Sequence, residues 1–304
     1  MVSPATKAGT AVRAREISFP FVIKVFTAAL LGIGSIPCIH WLATGDPSWV
    51  NMFFRYPGAL FFLLMASLEL GLSLRVWREF EPQESLSAAW ALLVLAAGCH
   101  LLSALFAQIL GQDSRLNPVF LDNPQNHTIG SLREFGVLAG GPLHMLVLAQ
   151  GLFLVLRVYK RLGLLVTRLK AVDYALLGAV AIYTIIHLYE VTRIFDGSPS
   201  LSLLIGWASD PLLSILMVEA VFLRRSVAEA GWGLISKCWG AFCIAIILTS
   251  LGDMSIWATW RGYLPPSLVA ISWYIWFPAS AAYALGPAYQ MEALRTAQHG
   301  LRRP

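Results

Sequence analysis

Histidine and aspartate residues recur inside the long apolar segments of this sequence, where ionisable side chains are costly. Five of them lie at a similar depth in their segments: His100, His144, His187, Asp210 and Asp253. Each is about seven to ten residues from one end of its segment, which at 1.5 Å per residue is roughly 10 to 15 Å below one membrane surface. Because such residues usually face the bundle interior or a water-filled cavity, the spacing predicts a polar layer in one half of a helix bundle.

Two further ionisable residues, His40 and Glu190, lie nearer the same surface and would form the mouth of this layer. Glu190 follows one turn after His187, so the two share a helix face. Imidazole and carboxylate groups can bind a proton, a polar ligand, a divalent metal or a haem iron, and the candidate metal ligands are His100, His144 and His187. The alternative is that these residues only form hydrogen bonds between helices, which is the favoured reading for any one histidine alone.

Three classes of function are compatible with the layer. The favoured one is a non-enzymatic module that binds a ligand or a proton, either a sensor or a small carrier. The second is a redox subunit with haem b, because His100 and His144 are expected at equal depth on consecutive helices. The third is a membrane hydrolase in which histidine and aspartate hold a divalent metal that activates water. No His-Glu-x-x-His, Gly-x-Ser-x-Gly or Walker-type motif occurs, so no catalytic residue is assigned.

The composition indicates which elements must carry these residues. Hydrophobic residues make up 57% of the 304 positions and charged residues 13%, whereas soluble domains usually carry about a quarter charged residues. The apolar runs are about twenty residues long, the length of a helix that crosses a hydrocarbon core of roughly 30 Å. Only helices and closed barrels can span lipid, and these runs are too long for barrel strands. The sequence therefore predicts an all-α polytopic bundle.

Hydropathy and charge together predict the topology. About eight spans are expected near residues 20–43, 57–77, 87–110, 135–157, 171–194, 202–223, 234–259 and 265–290. Arginine and lysine cluster in alternate connections, which the positive-inside rule assigns to the cytoplasm. The expected organisation is a cytoplasmic segment 1–19, an eight-span domain 20–290 and a cytoplasmic tail 291–304. The longest connection, 111–134, would face outward.

Spans 1 to 3 and spans 5 to 7 share a weak internal similarity. The segments 29–32 and 175–178 both read Ala-Leu-Leu-Gly, and Trp90 and Trp239 open spans 3 and 7. The matching positions are separated by 146 to 152 residues, which would correspond to a parallel four-plus-four duplication. The alternative is shared hydrophobic composition, since spans 4 and 8 show no such match.

The net charge of +5 arises from lysine and arginine between the apolar runs, which indicates topology and argues against a nucleic-acid partner. The expected partners are the lipid bilayer and a protein bound through the outer loop 111–134 or the basic cytoplasmic loops. The expected location is the bacterial cytoplasmic (inner) membrane. The cofactor is left open between none, haem b and a divalent metal.

Overall fold

The structure is a computed structural model that describes residues 18–106, 132–166, 168–194, 201–230, 233–260, 262–265 and 268–301. Within these ranges all regular structure is helical and no strand is present. The expectation of an all-α fold is therefore confirmed. The predicted outer loop falls outside the described residues as far as 131, and so does the N-terminal segment as far as 17.

The described residues form eight long helical segments, which we number α1 to α8. Their bounds are Phe19–Thr44 for α1, Ser48–Arg78 for α2, Ser85–Phe106 for α3, Leu132–Leu138, Ala139–Leu143 and His144–Arg161 for α4, Ala171–Ile194 for α5, Leu201–Ala230 for α6, Leu234–Trp260 for α7 and Val269–Leu301 for α8. Six of them, α1 to α5 and α7, are long and apolar enough to cross a membrane. The chain is therefore built as an integral membrane protein.

The remaining two helices, α6 and α8, have more protein neighbours than most of the others. Helix α8 packs against α1, α2 and α7, and α6 packs against α4, α5 and α7. A helix surrounded by protein exposes less surface to lipid, so it can carry polar residues that a lipid-facing helix cannot. Helix α6, for example, carries the buried acidic residues Asp210 and Glu219.

Six helices form a closed ring. Each helix of the ring packs against the next in the order α2, α3, α4, α6, α7 and α8, and α8 packs against α2. The other two helices lie outside the ring: α1 packs on α2 and α8, and α5 packs on α6. One end of the ring of helices is filled by the aromatic side chains of Trp90, Trp239 and Phe242, with 5.7 Å between the two indole centroids. Since Trp90 and Trp239 are near the starts of α3 and α7, this filled end is the one at which α3 and α7 begin.

Two helices are interrupted by a wide helical turn that contains a proline. In α2 the turn covers Phe54–Gly58, and in α4 it covers Ala139–Leu143. Proline has no backbone N–H and its ring crowds the preceding turn, so a local change of pitch is the expected response. In α4 the change is larger, because Gly141 leaves the helical region at φ −87° and ψ −108°. This bend positions the residues that follow it, beginning with His144.

The connection between α1 and α2 is a tight polar turn. Gly45 ends α1 with φ +74°, a conformation that glycine adopts without a steric penalty. The Asp46 carboxylate then accepts hydrogen bonds from the Ser48 amide at 3.0 Å and the Ser48 hydroxyl at 2.8 Å. These bonds favour the charged form and lower the pKa of Asp46.

Helices α5 and α6 are tied together at the filled end by a buried carboxylate. Asp173 accepts a hydrogen bond from the Lys170 amide at 2.8 Å, which caps the first turn of α5. The same carboxylate binds the guanidinium groups of Arg224, at 3.0 Å, and Arg225 on α6. A buried charge held by two opposite charges and a backbone donor is well satisfied. The contact fixes where α5 joins the outside of the ring.

Helix α8 is longer than the sequence predicted. The last span was expected to end near residue 290, but the helix continues to Leu301. The added turns contain Glu292, Ala293, Leu294 and Arg295, all of which favour helix. Hydropathy marks where the apolar stretch ends and not where the helix ends.

Candidate functional site

A cavity of about 290 Å³ lies inside the ring, near the end at which α3 and α7 finish. All six ring helices contribute to its wall, and α1 and α5 do not. The lining residues are Phe62 from α2, His100, Ser103 and Ala104 from α3, Val137, Gly140, Gly141, His144 and Met145 from α4, Leu213 and Leu216 from α6, Ile246, Thr249 and Asp253 from α7, and Trp276, Ala279, Ser280 and Tyr283 from α8. The wall is mainly apolar with a few polar groups, as in most small-molecule sites.

His100 is held on the cavity wall by a buried carboxylate behind it. Its Nδ1 lies 2.6 Å from Oε2 of Glu69, which is on α2 and only 2% exposed. An ionised carboxylate can only accept, so Nδ1 of His100 carries the proton and donates it. In the neutral imidazole the second nitrogen, Nε2, is then a hydrogen-bond acceptor. Glu69 therefore fixes both the orientation of the His100 imidazole and its tautomer.

His144 has the same arrangement with a backbone partner. Its Nδ1 lies 3.0 Å from the carbonyl oxygen of Ala96 on α3, so Nδ1 again donates. The side chain is 6% exposed, and Nε2 has no hydrogen-bond partner in the part of the chain that the structure describes. Two neighbouring helices thus present two histidines that are each fixed through Nδ1.

Tyr283 packs against both histidine rings. The ring centroids of His100 and His144 are 5.6 Å apart, and that of Tyr283 is 5.7 Å from the first and 5.4 Å from the second. The buried hydroxyl of Tyr283 is hydrogen-bonded to Thr249 on α7. The three rings form one cluster with contributions from α3, α4 and α8.

Asp253 lies on the α7 side of the cavity. Its Oδ1 accepts a hydrogen bond from the indole nitrogen of Trp276 on α8 at 3.1 Å. The preceding residue, Gly252, allows this contact because the indole occupies the space where a Cβ atom would be. The close approach of α7 and α8 therefore depends on a residue without a side chain.

The bend in α4 shapes the opposite wall. The space that a Cβ atom would take at Gly140 is filled by the side chain of Ser103 from α3. At Gly141 a Cβ atom would be 3.6 Å from the Ser209 hydroxyl, which is an ordinary contact. Gly140 is thus the position at which the packing of α3 against α4 requires glycine.

Two of the predicted layer residues, His187 and Asp210, form a separate pair between α5 and α6. Nδ1 of His187 is hydrogen-bonded to Oδ2 of Asp210. Tyr183 stacks on the imidazole with 5.6 Å between centroids, and Trp257 from α7 contacts it edge-on at 5.7 Å. Neither member of the pair lines the cavity. The pair lies close to the cavity, because Trp257 is one turn beyond Asp253 on α7 and the Asp210 carboxyl group interacts electrostatically with that of Asp253.

The two residues expected at the mouth of the layer also lie apart from the cavity wall. His40 stacks on Trp49, with 4.2 Å between ring centroids and 11° between ring planes. Glu190 accepts a hydrogen bond from the Tyr263 hydroxyl at 3.1 Å. The structure therefore brings His100, His144 and Asp253 to one cavity and distributes the other four predicted residues around it.

Sequence reasoning missed three residues that complete the site: Glu69, Trp276 and Tyr283. Glu69 carried a usable signal, since an acidic residue deep in an apolar span requires a partner. For Trp276 and Tyr283 the sequence contains no such signal, because nothing distinguishes them from the many other aromatic residues of the last span.

Haem ligation by His100 and His144 together does not fit this geometry. Their rings are 5.6 Å apart, and Tyr283 contacts both. His144 also bonds to Ala96 on the helix that carries His100, so α3 and α4 are directly packed with no space for a macrocycle. Among the described residues, no three His, Cys, Asp or Glu side chains are grouped so that they could hold a metal ion.

Comparisons with known proteins identify no relative: no family model, no curated protein and no solved structure matches this chain. The function must therefore be argued from the site.

Proposed function

We propose that this chain is an eight-span membrane protein whose central cavity binds a small ligand without chemical conversion, as a sensor or a small carrier. The observation that carries the proposal is the closed ring of six helices around a cavity, with two histidines fixed on its wall through Nδ1. Hydrogen bonds that only stabilise a bundle would use both ring nitrogens or lie at a packed interface. A histidine with one nitrogen directed to a cavity is instead suited to binding.

The topology of the proposal rests on the ends of the helices. Three helices finish in basic residues, Arg75 and Arg78 on α2, Lys160 and Arg161 on α4, and Arg224 and Arg225 shortly before the end of α6. All three finish at the filled end of the ring, so the positive-inside rule favours a cytoplasmic location for that end. The cavity then opens toward the outer half of the membrane, and both termini are cytoplasmic.

The helix contacts also support the parallel repeat. Each contact among α1 to α4 has a counterpart among α5 to α8: α1 with α2 and α5 with α6, α2 with α3 and α6 with α7, α3 with α4 and α7 with α8. The ring is closed by two further contacts of the same kind, α4 with α6 and α8 with α2. The equivalent residues Trp90 and Trp239 touch each other, as residues beside a two-fold axis would. The cavity then lies at the interface of the two halves.

A binding role is better supported than catalysis. Within the described residues, no serine or cysteine is hydrogen-bonded to a histidine, so no activated nucleophile is assembled. The four cysteines, Cys38, Cys99, Cys238 and Cys243, do not line the cavity. The groups that do line it are apolar side chains, aromatic rings, hydroxyl groups, two imidazoles and one carboxyl group.

Thiol labelling of Thr249→Cys tests the proposal. Thr249 lines the cavity and is partly exposed, so we expect a small water-soluble methanethiosulfonate reagent, added to the outer side of sealed vesicles, to modify the new thiol. The matched control is Ser73→Cys, which is 1% exposed on α2 and does not line the cavity. The four native cysteines of the unchanged chain define the background. Equal labelling of the two variants would contradict the proposal.

An absorption spectrum of the purified protein provides an independent check. We expect no difference in the haem region between the reduced and oxidised samples, because the packing of α3 and α4 excludes a macrocycle between His100 and His144. A reduced-minus-oxidised haem signal that is lost in His144→Ala would instead establish the redox subunit.

A further inference from the structure

We propose that the cavity selects a small organic ammonium ion with an apolar or aromatic body. This inference rests on the proposed function, because it names the class of ligand for the same cavity. Three properties of the wall support it: the hydrogen-bond acceptors on its histidines, its acidic groups and its aromatic side chains.

Two polar groups of the wall are hydrogen-bond acceptors. Glu69 and Ala96 each take the Nδ1 proton of a histidine, so Nε2 of the neutral His100 and His144 can only accept. Ser280 adds a buried hydroxyl that has no partner in the described part of the chain and that can both donate and accept. A ligand with several N–H donors on one atom satisfies the two imidazole nitrogens, whereas an ionised carboxylate, which has no donor, would leave them unsatisfied.

The acidic groups near the cavity are not balanced by lysine or arginine. Asp253 lines the wall, and the Glu69 carboxylate lies directly behind His100. Among the described lining residues there is no lysine or arginine. In a poorly solvated site an unbalanced carboxylate is costly, and a bound cation offsets that cost. An anionic ligand would add to the unbalanced charge.

The apolar part of the wall includes three aromatic side chains, Phe62, Trp276 and Tyr283. Aromatic faces attract cations, and recognition of ammonium groups by several aromatic rings is a recurrent use of this interaction. The remaining wall is aliphatic, with Leu213, Leu216 and Ile246 among its members. A volume of about 290 Å³ has room for an amine that carries one aromatic ring.

Three probes of the same shape and different charge test the inference: benzylammonium, benzyl alcohol and benzoate. Their affinities for the unmodified full-length protein in lipid nanodiscs are measured by titration calorimetry at neutral pH. We expect benzylammonium to bind about ten-fold or more tightly than benzyl alcohol, and benzoate to bind least. Because this ranking is obtained on the unmodified protein, it does not depend on any variant folding.

Asp253→Asn then assigns the selectivity to the cavity. We expect the variant to bind benzylammonium about ten-fold more weakly and benzyl alcohol nearly as well as before. His144→Phe, which removes an acceptor on the other wall, provides a second variant with the same expected loss for the ammonium probe. The matched control is Glu219→Gln, which removes a buried carboxyl group of α6 outside the cavity and should leave all three affinities unchanged.

The outcomes separate this inference from the proposed function. If Thr249→Cys is labelled but benzyl alcohol or benzoate binds as tightly as benzylammonium, the cavity binds ligands and the ammonium class is wrong. If Thr249→Cys is labelled and none of the probes binds, the ammonium class is again wrong. If Thr249→Cys is not labelled above the Ser73→Cys control and no probe binds, the proposed function itself fails.

Discussion

His100 on α3 and His187 on α5 each bind a buried carboxylate through Nδ1, but only His100 lies on the wall of the cavity. The partner of the first, Glu69, is on a neighbouring ring helix, and the free side of the imidazole faces the interior. His187 is enclosed by Tyr183 and Trp257, and its helix, α5, packs outside the ring of helices. A histidine–carboxylate pair therefore lies at the cavity wall in one place and joins two helices in the other.

The difference between the two pairs comes from the position of their helices. Helix α3 is a member of the ring and has neighbours on both sides, so one of its faces is directed to the central space. Helix α5 packs mainly against α6, so its polar residues meet that helix, the adjacent face of α7 and the connection that follows α7. In a membrane protein, the depth of an ionisable residue does not determine its role unless its helix lines an interior space.

The largest effect that this comparison predicts is for Glu69→Ala. The substitution removes the acceptor of His100 Nδ1 and leaves a void among buried residues, so we expect a loss of about 3–5 kcal/mol in the free energy of unfolding. Glu69→Gln keeps an acceptor oxygen and should lose less. Sodium dodecyl sulfate titration of the purified variants measures both values.

The control for this prediction is Glu79→Ala, at the exposed end of α2. Its only described partner is Gln298 at 3.2 Å, and we expect a change within about 0.5 kcal/mol. A loss for Glu69→Ala that is no larger than the loss for Glu79→Ala would mean that the carboxylate does not hold His100 in place.

The second prediction concerns the bend in α4 that forms one wall of the cavity. Gly140→Val places two methyl groups where Ser103 already fills the space, so we expect a loss of about 1–3 kcal/mol and weaker binding of benzylammonium. Gly98→Val is the matched control, since Gly98 lies on α3 outside the cavity wall and a Cβ atom there would meet nothing within 4 Å. If both variants bind the probe as the unmodified protein does, the packing of α3 against α4 does not shape the cavity.

Part of this arrangement could be predicted from the sequence. The helix Ala171–Ile194 coincides with the predicted span 171–194, because the apolar run and the flanking polar residues define its ends. Counting residues along each helix also placed His100, His144 and Asp253 at one depth, and all three line the cavity. Depth follows from counting residues along a helix, which requires no knowledge of its neighbours.

The rest depends on which helix faces which, and a single sequence does not contain that information. Glu69 was not assigned to the polar layer, yet it meets His100 because α2 and α3 are antiparallel neighbours with these faces in contact. His187 and Asp210 were assigned to the same site as His100, although their helices meet outside the cavity. Both differences arise from the rotation of helices about their axes and not from their boundaries.

The third prediction tests the peripheral pair directly. Asp210→Asn removes the charge that holds His187 but keeps an oxygen that can accept from Nδ1, so we expect a loss of about 1–2 kcal/mol in the free energy of unfolding. Sodium dodecyl sulfate titration measures this loss. If the variant instead weakens benzylammonium binding about as much as Asp253→Asn does, the two polar regions act as one site and the distinction drawn here is wrong.

The smallest effect is expected for the neutral hydrogen bond one turn from the peripheral pair. Thr184 on α5 and Ser214 on α6 are 2.7 Å apart through their hydroxyl groups. Interhelical hydrogen bonds of this kind contribute little in membranes, since the separated helices find other partners, and their coupling energies average about 0.6 kcal/mol. A double-mutant cycle with Thr184→Val and Ser214→Ala should therefore give a coupling near that value. A coupling above about 2 kcal/mol would show that this bond holds α5 to the ring of helices as firmly as the buried ion pairs do. The ring helices and the peripheral helices would then differ only in whether they line the cavity.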